Sequence, residues 1–309
     1  MEFAALLNKM LIFIVLMVIG YVLARRGLFG PDFTKTASSL VLNVFMVGTI
    51  LSSMISTGAE HDIRDLAQIL FLTFVMTALG YVVSAAAARL MPMEKDLKAP
   101  AEILMAAGNN MFIALPIAEA IYGSYAVFIV SVSCIPFNVL LYSYGVWRLK
   151  GSGEGKGLRV RDMFSIPLIA TLLGMLLIAF RVPVPQAVRG LLSSLSGATM
   201  PMSMMVIGAS LGSVSLLDAF KKPLLAFTSA VRLLLIPALT FFVLRLLTDD
   251  TALLMTNVII AGAPSAVLCS VLAIQYGRDA VFSSEGVQHS TVCSMLTLPL
   301  IIQVFSRLL

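Results

Sequence analysis

Asn109 and Asn110 stand together in the stretch Met105 to Phe128, MAAGNNMFIALPIAEAIYGSYAVF, which is otherwise almost entirely apolar. Inside a bilayer their amides need partners from protein, water or a ligand, because lipid supplies none. Pro116 follows within two turns, and in a helix it lacks an N–H and clashes with the carbonyl of Phe112. Pro264 does the same to Ile260 in a second stretch, Ile259 to Phe282, IIAGAPSAVLCSVLAIQYGRDAVF. Gly108 and Gly262 loosen the turn ahead of each. The sequence therefore predicts two helices interrupted near the bilayer midplane. A lone proline kink needs no functional explanation, whereas two kinks at corresponding positions, one beside an Asn pair, point to a binding site. A helix that restarts after an unwound segment exposes N–H groups at the positive end of its dipole, and these receive a carboxylate without a cation. Asn side chains add donors and carbonyl acceptors, and Ser265 adds a hydroxyl. The expected chemistry is reversible binding of a small organic anion at Asn109, Asn110, Pro116, Gly262, Pro264 and Ser265, with no catalytic residue.

Ionisable groups within apolar runs are expensive to bury, so each is a functional candidate. Arg232 follows Lys222 by ten residues, about 15 Å of helix rise, which reaches the midplane. It either draws an anion or pairs with a carboxylate, and the sequence leaves both open. Glu285 and His289 lie four apart on one helix face with Gln288 beside them. They could carry a proton, imidazole titrating near neutral pH, although a hydrogen bond between helices is the simpler reading. Asn43 sits at a position whose counterpart is Gly197, where small or polar residues let helices approach. Glu102 is read as a carboxylate opening a helix, and Glu119 as solvated. His61, with Glu60, Asp62 and Asp65, reads as an acidic loop. Cys134, Cys269 and Cys293 are scattered in apolar runs, so neither a disulfide nor a metal site is expected, and no cofactor.

The elements that must position these residues follow from composition. Of the 309 residues 59% are hydrophobic and 12% charged, and the mean hydropathy is +0.99, which excludes an ordinary soluble domain; no nucleic-acid partner is expected. The expected fold is an all-α polytopic membrane protein with ten transmembrane helices, near residues 3–24, 35–56, 65–90, 100–121, 124–148, 163–180, 187–211, 223–247, 252–276 and 280–306. The two broken stretches repeat at an offset of 154 residues, with Gly108/Gly262, Tyr122/Tyr276, Gly123/Gly277, Ala126/Ala280, Val127/Val281 and Phe128/Phe282 identical. Two five-helix repeats, 1–149 and 162–309, are thus expected around a Gly-rich linker, 150–161, which lacks the spacing of a phosphate loop. Lysines and arginines crowd the odd-numbered connections: Arg25, Arg26 and Lys35; Arg89, Lys95 and Lys98; Arg148 to Arg161; Lys221 and Lys222; Arg278. The positive-inside bias puts these in the cytoplasm and both termini outside. Tandem copies with an odd number of spans insert upside down relative to each other, which is inverted-repeat architecture. The first run, Phe3 to Leu23, carries its arginines after the core, the reverse of a secretory signal, and is read as an uncleaved span.

Several of these segments resemble one family. GNNMFIALPIAEAIYG resembles the fourth-span motif of the auxin efflux carrier family of membrane transporters. ATMPMSMMVIGASLG, with Pro201, Gly208 and Leu211, is similar to its seventh-span motif, and RLLLIPAL, AGAPSA and STVCSMLTLPL match later spans in order. The resemblance implies two inverted five-helix repeats whose fourth and ninth helices cross at broken midpoints, a fold similar to bile acid symporters and sodium/proton antiporters. It implies substrate contact at Asn109 or Asn110 and at the breaks by Pro116 and Pro264. Plant auxin exporters and bacterial permeases for malate and malonate belong to the family, and the short central linker favours a bacterial permease of the inner membrane. Val47 stands where relatives often carry proline, and His289 where an apolar residue is expected.

The expected function is secondary active transport of a small carboxylate by alternating access, elevator-type, with the first, second, sixth and seventh spans as support. H+ or Na+ coupling and a homodimer are both compatible with it. The alternatives are an intramembrane enzyme, which would need more than the ExxxH of Glu285 and His289, a carrier or sensor for a non-carboxylate solute, and a channel.

Overall fold

The structure, a computed structural model, describes residues 3–57, 63–150, 164–212 and 220–309. His61, its acidic neighbours Glu60 and Asp62, and nearly all of the expected linker lie outside the described residues. Every element described is helical: α1 (Phe3–Arg25), α2 (Pro31–Leu40), α3 (Met46–Thr57), α4 (Ile63–Leu90), α5 (Lys95–Ala106), α6 (Leu115–Leu140), α7 (Val146–Lys150), α8 (Ile166–Ala179), α9 (Gln186–Gly212), α10 (Pro223–Ala230), α11 (Ile236–Arg245), α12 (Thr251–Gly262), α13 (Leu268–Gln275) and α14 (Ala280–Ser306). Widened π turns at Val41–Phe45, Asn110–Ala114, Leu141–Gly145 and Val231–Leu235 join α2 to α3, lead into α6, and join α6 to α7 and α10 to α11. Six helical stretches among the described residues are long and apolar enough to cross a membrane: Asp32–Ser56, Asp65–Leu90, Asn110–Lys150, Gln186–Gly212, Pro223–Arg245 and Ala280–Ser306. Leu11–Arg25, Ile166–Ala179 and Thr251–Gly262 are shorter apolar helices.

The expected spans near 100–121 and 124–148 take a different form. A break at 107–109 ends α5, and the helix that follows runs on to Lys150, turning at Gly123, whose φ is +70°. Gly277, which follows the end of α13, also has a positive φ, +62°. The Tyr-Gly pair thus repeats in sequence and in the sign of φ, a backbone that glycine adopts at no Cβ penalty.

The chain forms two compact units that interleave in sequence. The first comprises Met1–Ile69, Met111–Cys134 and Ser165–Val214. Its core is close packing of small residues. A Cβ on Gly208 would lie 1.9 Å from the Met17 carbonyl oxygen, and one on Gly20 would lie 2.0 Å from that of Met205. The backbones of α1 and α9 therefore touch, as small residues in membrane helices permit. Thr49 and Thr199 share a 2.7 Å hydrogen bond that ties α3 to α9. The second unit comprises Leu70–Asn110, Ile135–Phe164 and Ser215–Leu309. Its apolar core gathers Ile103, Leu104, Leu141, Leu149, Leu225, Leu272 and Phe282.

Candidate functional site

The second unit contains both helix breaks, and they pair with each other. After Ala106 the chain turns extended at Ala107, and after Gly262 it turns extended at Ala263. Gly108 and Ser265 form an antiparallel bridge. The Asn109 N–H donates to the Pro264 carbonyl at 2.7 Å, and the Ala266 N–H donates to the Ala107 carbonyl at 2.9 Å. Backbone that leaves a helix in a bilayer must be satisfied by protein, and here each break supplies the other. Ser265 adds two bonds: its hydroxyl donates to the Leu104 carbonyl at 2.7 Å, and its N–H donates to Ser290 Oγ at 3.1 Å.

Arg232 binds the two breaks from one side. It is 3% exposed, on the π turn between α10 and α11. Its Nε donates to the Ala263 carbonyl at 2.7 Å and its Nη2 to that of Ile260 at 3.1 Å. Its Nη1 donates to Met105 at 3.3 Å and to Ala106 at 3.1 Å. Four carbonyls at the C-terminal ends of α5 and α12 thus share one guanidinium; that of Ile260 also accepts from the Ala263 N–H at 3.3 Å. Each helix end carries roughly −0.5 charge, so two of them offset the single positive charge of the arginine. Four of the five N–H donors of Arg232 thus go to backbone carbonyls, and none of these contacts is to a carboxylate.

Gly108 makes this approach possible. A Cβ there would stand 1.8 Å from Arg232 Nη2 and 2.9 Å from Asn110 Oδ1. Asn110 is 8% exposed, and its Oδ1 is buried with no hydrogen-bond partner. It lines a small cavity with Met76, Thr77, Gly80, Gly108, Arg232 and Ile260, with room for about one water. Asn109 is buried beside it.

Other candidates fall elsewhere. Pro116 does not make the break. It is buried on α6, directly after the π turn Asn110–Ala114, and the chain stays helical through it. A π turn absorbs a missing hydrogen bond, while the break at 107–109 is held by Pro264, Ala266 and Arg232. Gly262 closes α12. Asn43 belongs to the first unit, where its amide donates to Ser39 Oγ at 2.9 Å. Glu285 forms an ion pair with Lys222, and His289 Nδ1 meets Ser229 Oγ at 2.7 Å. Both contacts tie α14 to α10 and its leading residue. Gln288 Nε2 reaches Ser284 Oγ at 3.4 Å, and its Oε1 is buried without a partner.

Glu102 is a correction. It is 1% exposed and lies in the second half of α5, where it accepts from Arg148 Nε at 2.7 Å and from the Tyr144 hydroxyl. Arg278, in the turn before α14, donates to the Leu149 carbonyl at 2.6 Å and lies 3.7 Å from Asp96. These contacts tie α5, α7, the π turn before α7 and the turn before α14 to one another.

Two short helices that end in extended backbone, pair across their breaks and bury an asparagine beside an arginine thus stand among stretches long and apolar enough to cross a membrane several times. The sequence profile described as "Membrane transport protein" matches residues 5–161 and 155–302, and the chain belongs to that family, the auxin efflux carriers. It is 28% identical over 293 residues to a protein of Methanothermobacter thermautotrophicus described as an uncharacterized transporter, covering 93% of this chain and 94% of that one. It is also 26% identical over 309 residues to an uncharacterized transporter of Methanocaldococcus jannaschii, covering 95% and 97%.

Proposed function

We propose that this protein is a secondary active transporter that binds a small organic anion, of the carboxylate class, at the paired breaks and moves it by elevator-type alternating access. The observation that carries the reading is the disposition of charge at the breaks. Arg232 offsets the two carbonyl ends, and the helices then restart at Asn110 and Leu268 with N-terminal, electropositive ends. The balance left at the breaks favours an anion.

Three further observations support the reading. Gly123 and Gly277 share both sequence context and positive φ, as two copies of one motif in inverted five-helix repeats would. The stretches assigned to the first, second, sixth and seventh spans fall in one compact unit, as a support should, and the breaks fall in the other. The cation distribution favours cytoplasmic odd connections, with both termini outside the inner membrane. H+ or Na+ coupling and a homodimer belong to the same proposal.

The test is electrical current from purified protein in liposomes adsorbed on a solid support. Mono- and dicarboxylates are added in turn, with and without sodium, at two pH values. Saturable currents that vanish in Asn110→Ala, with the variant still folded, are the expected result. Silence across the panel from folded protein would remove carboxylates from the reading.

A further inference from the structure

We propose that the cavity shared by Asn110 and Arg232 is a subsite for a hydroxyl group, so that the transported anion is a hydroxy acid rather than a plain carboxylate. This rests on the organic-anion reading above and narrows it.

The cavity has a defined polarity. On one side Asn110 Oδ1, more than nine-tenths buried, accepts from nothing. On the other side stands Arg232, whose guanidinium has five N–H donors. Four are spent on Ala263, Ile260, Met105 and Ala106, which leaves one hydrogen, on Nη2. That Nη2 and Asn110 Oδ1 both lie within 3 Å of the point where a Gly108 Cβ would be, so the missing side chain of Gly108 exposes them to the same space. The rest of the lining is largely apolar, with Met76, Ile236 and Ile260, and the space takes a single small group.

The group that completes this pair must donate one hydrogen bond and accept another. An ionised carboxylate oxygen accepts only, and would face Asn110 Oδ1 acceptor to acceptor. An ammonium donates only, and would face the guanidinium. An alcohol oxygen does both: its hydrogen goes to Oδ1 and its lone pair takes the remaining Nη2 hydrogen. A ligand lacking it leaves a buried acceptor unpaired, and sites built around a substrate hydroxyl reject such analogues strongly.

The experiment compares matched pairs on the full-length protein in liposomes at pH 7.5: malate with succinate, lactate with propionate, glycolate with acetate. Half-saturation concentrations are read from the substrate-induced current. The hydroxy acid of each pair should saturate at least tenfold lower. Asn110→Leu, which keeps the volume and removes the acceptor, should bring the two members of a pair together. Equal half-saturation in the wild-type protein would overturn the hydroxyl subsite and leave the anion carrier standing, with a resident water as the occupant. Equal values that fall together as the pH approaches the carboxyl range would put the donor on the acid itself and also overturn it. A hydroxyl preference that survives in Asn110→Leu would overturn its assignment to this residue. No current from any acid would overturn the organic-anion reading and this inference with it. If Asn110→Leu does not fold, the wild-type ratios decide.

Discussion

Replacing Arg232 with methionine removes the donor that serves four carbonyls on two helix ends. A hydrogen bond from a charged donor contributes about 1.5–3 kcal/mol, but these four share one side chain and are not additive. The closer precedent is loss of one partner from a buried charged network, about 3–5 kcal/mol. The loss is worked at the lower end, because a cavity already adjoins the site and water can reach some of the freed carbonyls. At roughly 2 °C of melting temperature per kcal/mol for a chain of this size, Arg232→Met should melt at least about 5 °C below the parent. Arg232→Lys keeps the charge, but a compact ammonium with three donors cannot span four carbonyls, so it should fall between. The assay is thermal unfolding of the purified chain in detergent, followed by near-ultraviolet circular dichroism. A melting temperature for Arg232→Met within about 1 °C of the parent would refute the clamp, since it would mean that the orphaned carbonyls find other partners without loss.

Four further outcomes follow from the same contacts. Gly108→Ala places a methyl group on Arg232 Nη2; it should lower the melting temperature by a few degrees, about 1–3 kcal/mol, and abolish transport. Glu102→Ala strips the buried partner of Arg148, whose side chain is 30% exposed, and should cost about 2–3 kcal/mol by the same unfolding assay. Lys222→Ala should cost less than about 1 kcal/mol, because that side chain is 45% exposed in its pair with Glu285. His289→Gln keeps a polar partner for Ser229 and removes the imidazole; it should flatten the pH dependence of transport, and an unchanged profile would place proton coupling elsewhere.

The breaks were legible because their causes are local. Gly262 and Pro264 weaken their own turn, and the repeated Tyr-Gly pair marks the backbone that adopts positive φ in both copies. The bounds of α9, α14 and the stretch Pro223–Arg245 follow from apolar length alone. Pro116 misled for a related reason. A proline predicts a fault at its own turn, but the fault in this half lies at Gly108, where another segment offers backbone partners. A sequence cannot announce a carbonyl as a partner, so the four acceptors of Arg232 carried no signal, and a search for acids had nothing to find. Glu102 and Arg148 lie 46 residues apart, and only tertiary packing brings them together. Glu285 and His289 do share a helix face as their spacing requires, yet each is taken up by a different residue at or ahead of α10.

The most direct test of the central claim, that the paired breaks hold the transported solute, is uptake of a labelled hydroxy acid into liposomes by the parent, Asn110→Ala and Ser39→Ala, the last a control in the first unit. Saturable uptake by the parent and by Ser39→Ala, with none by folded Asn110→Ala, is predicted. Undiminished uptake by Asn110→Ala would move the solute away from the breaks and contradict the account.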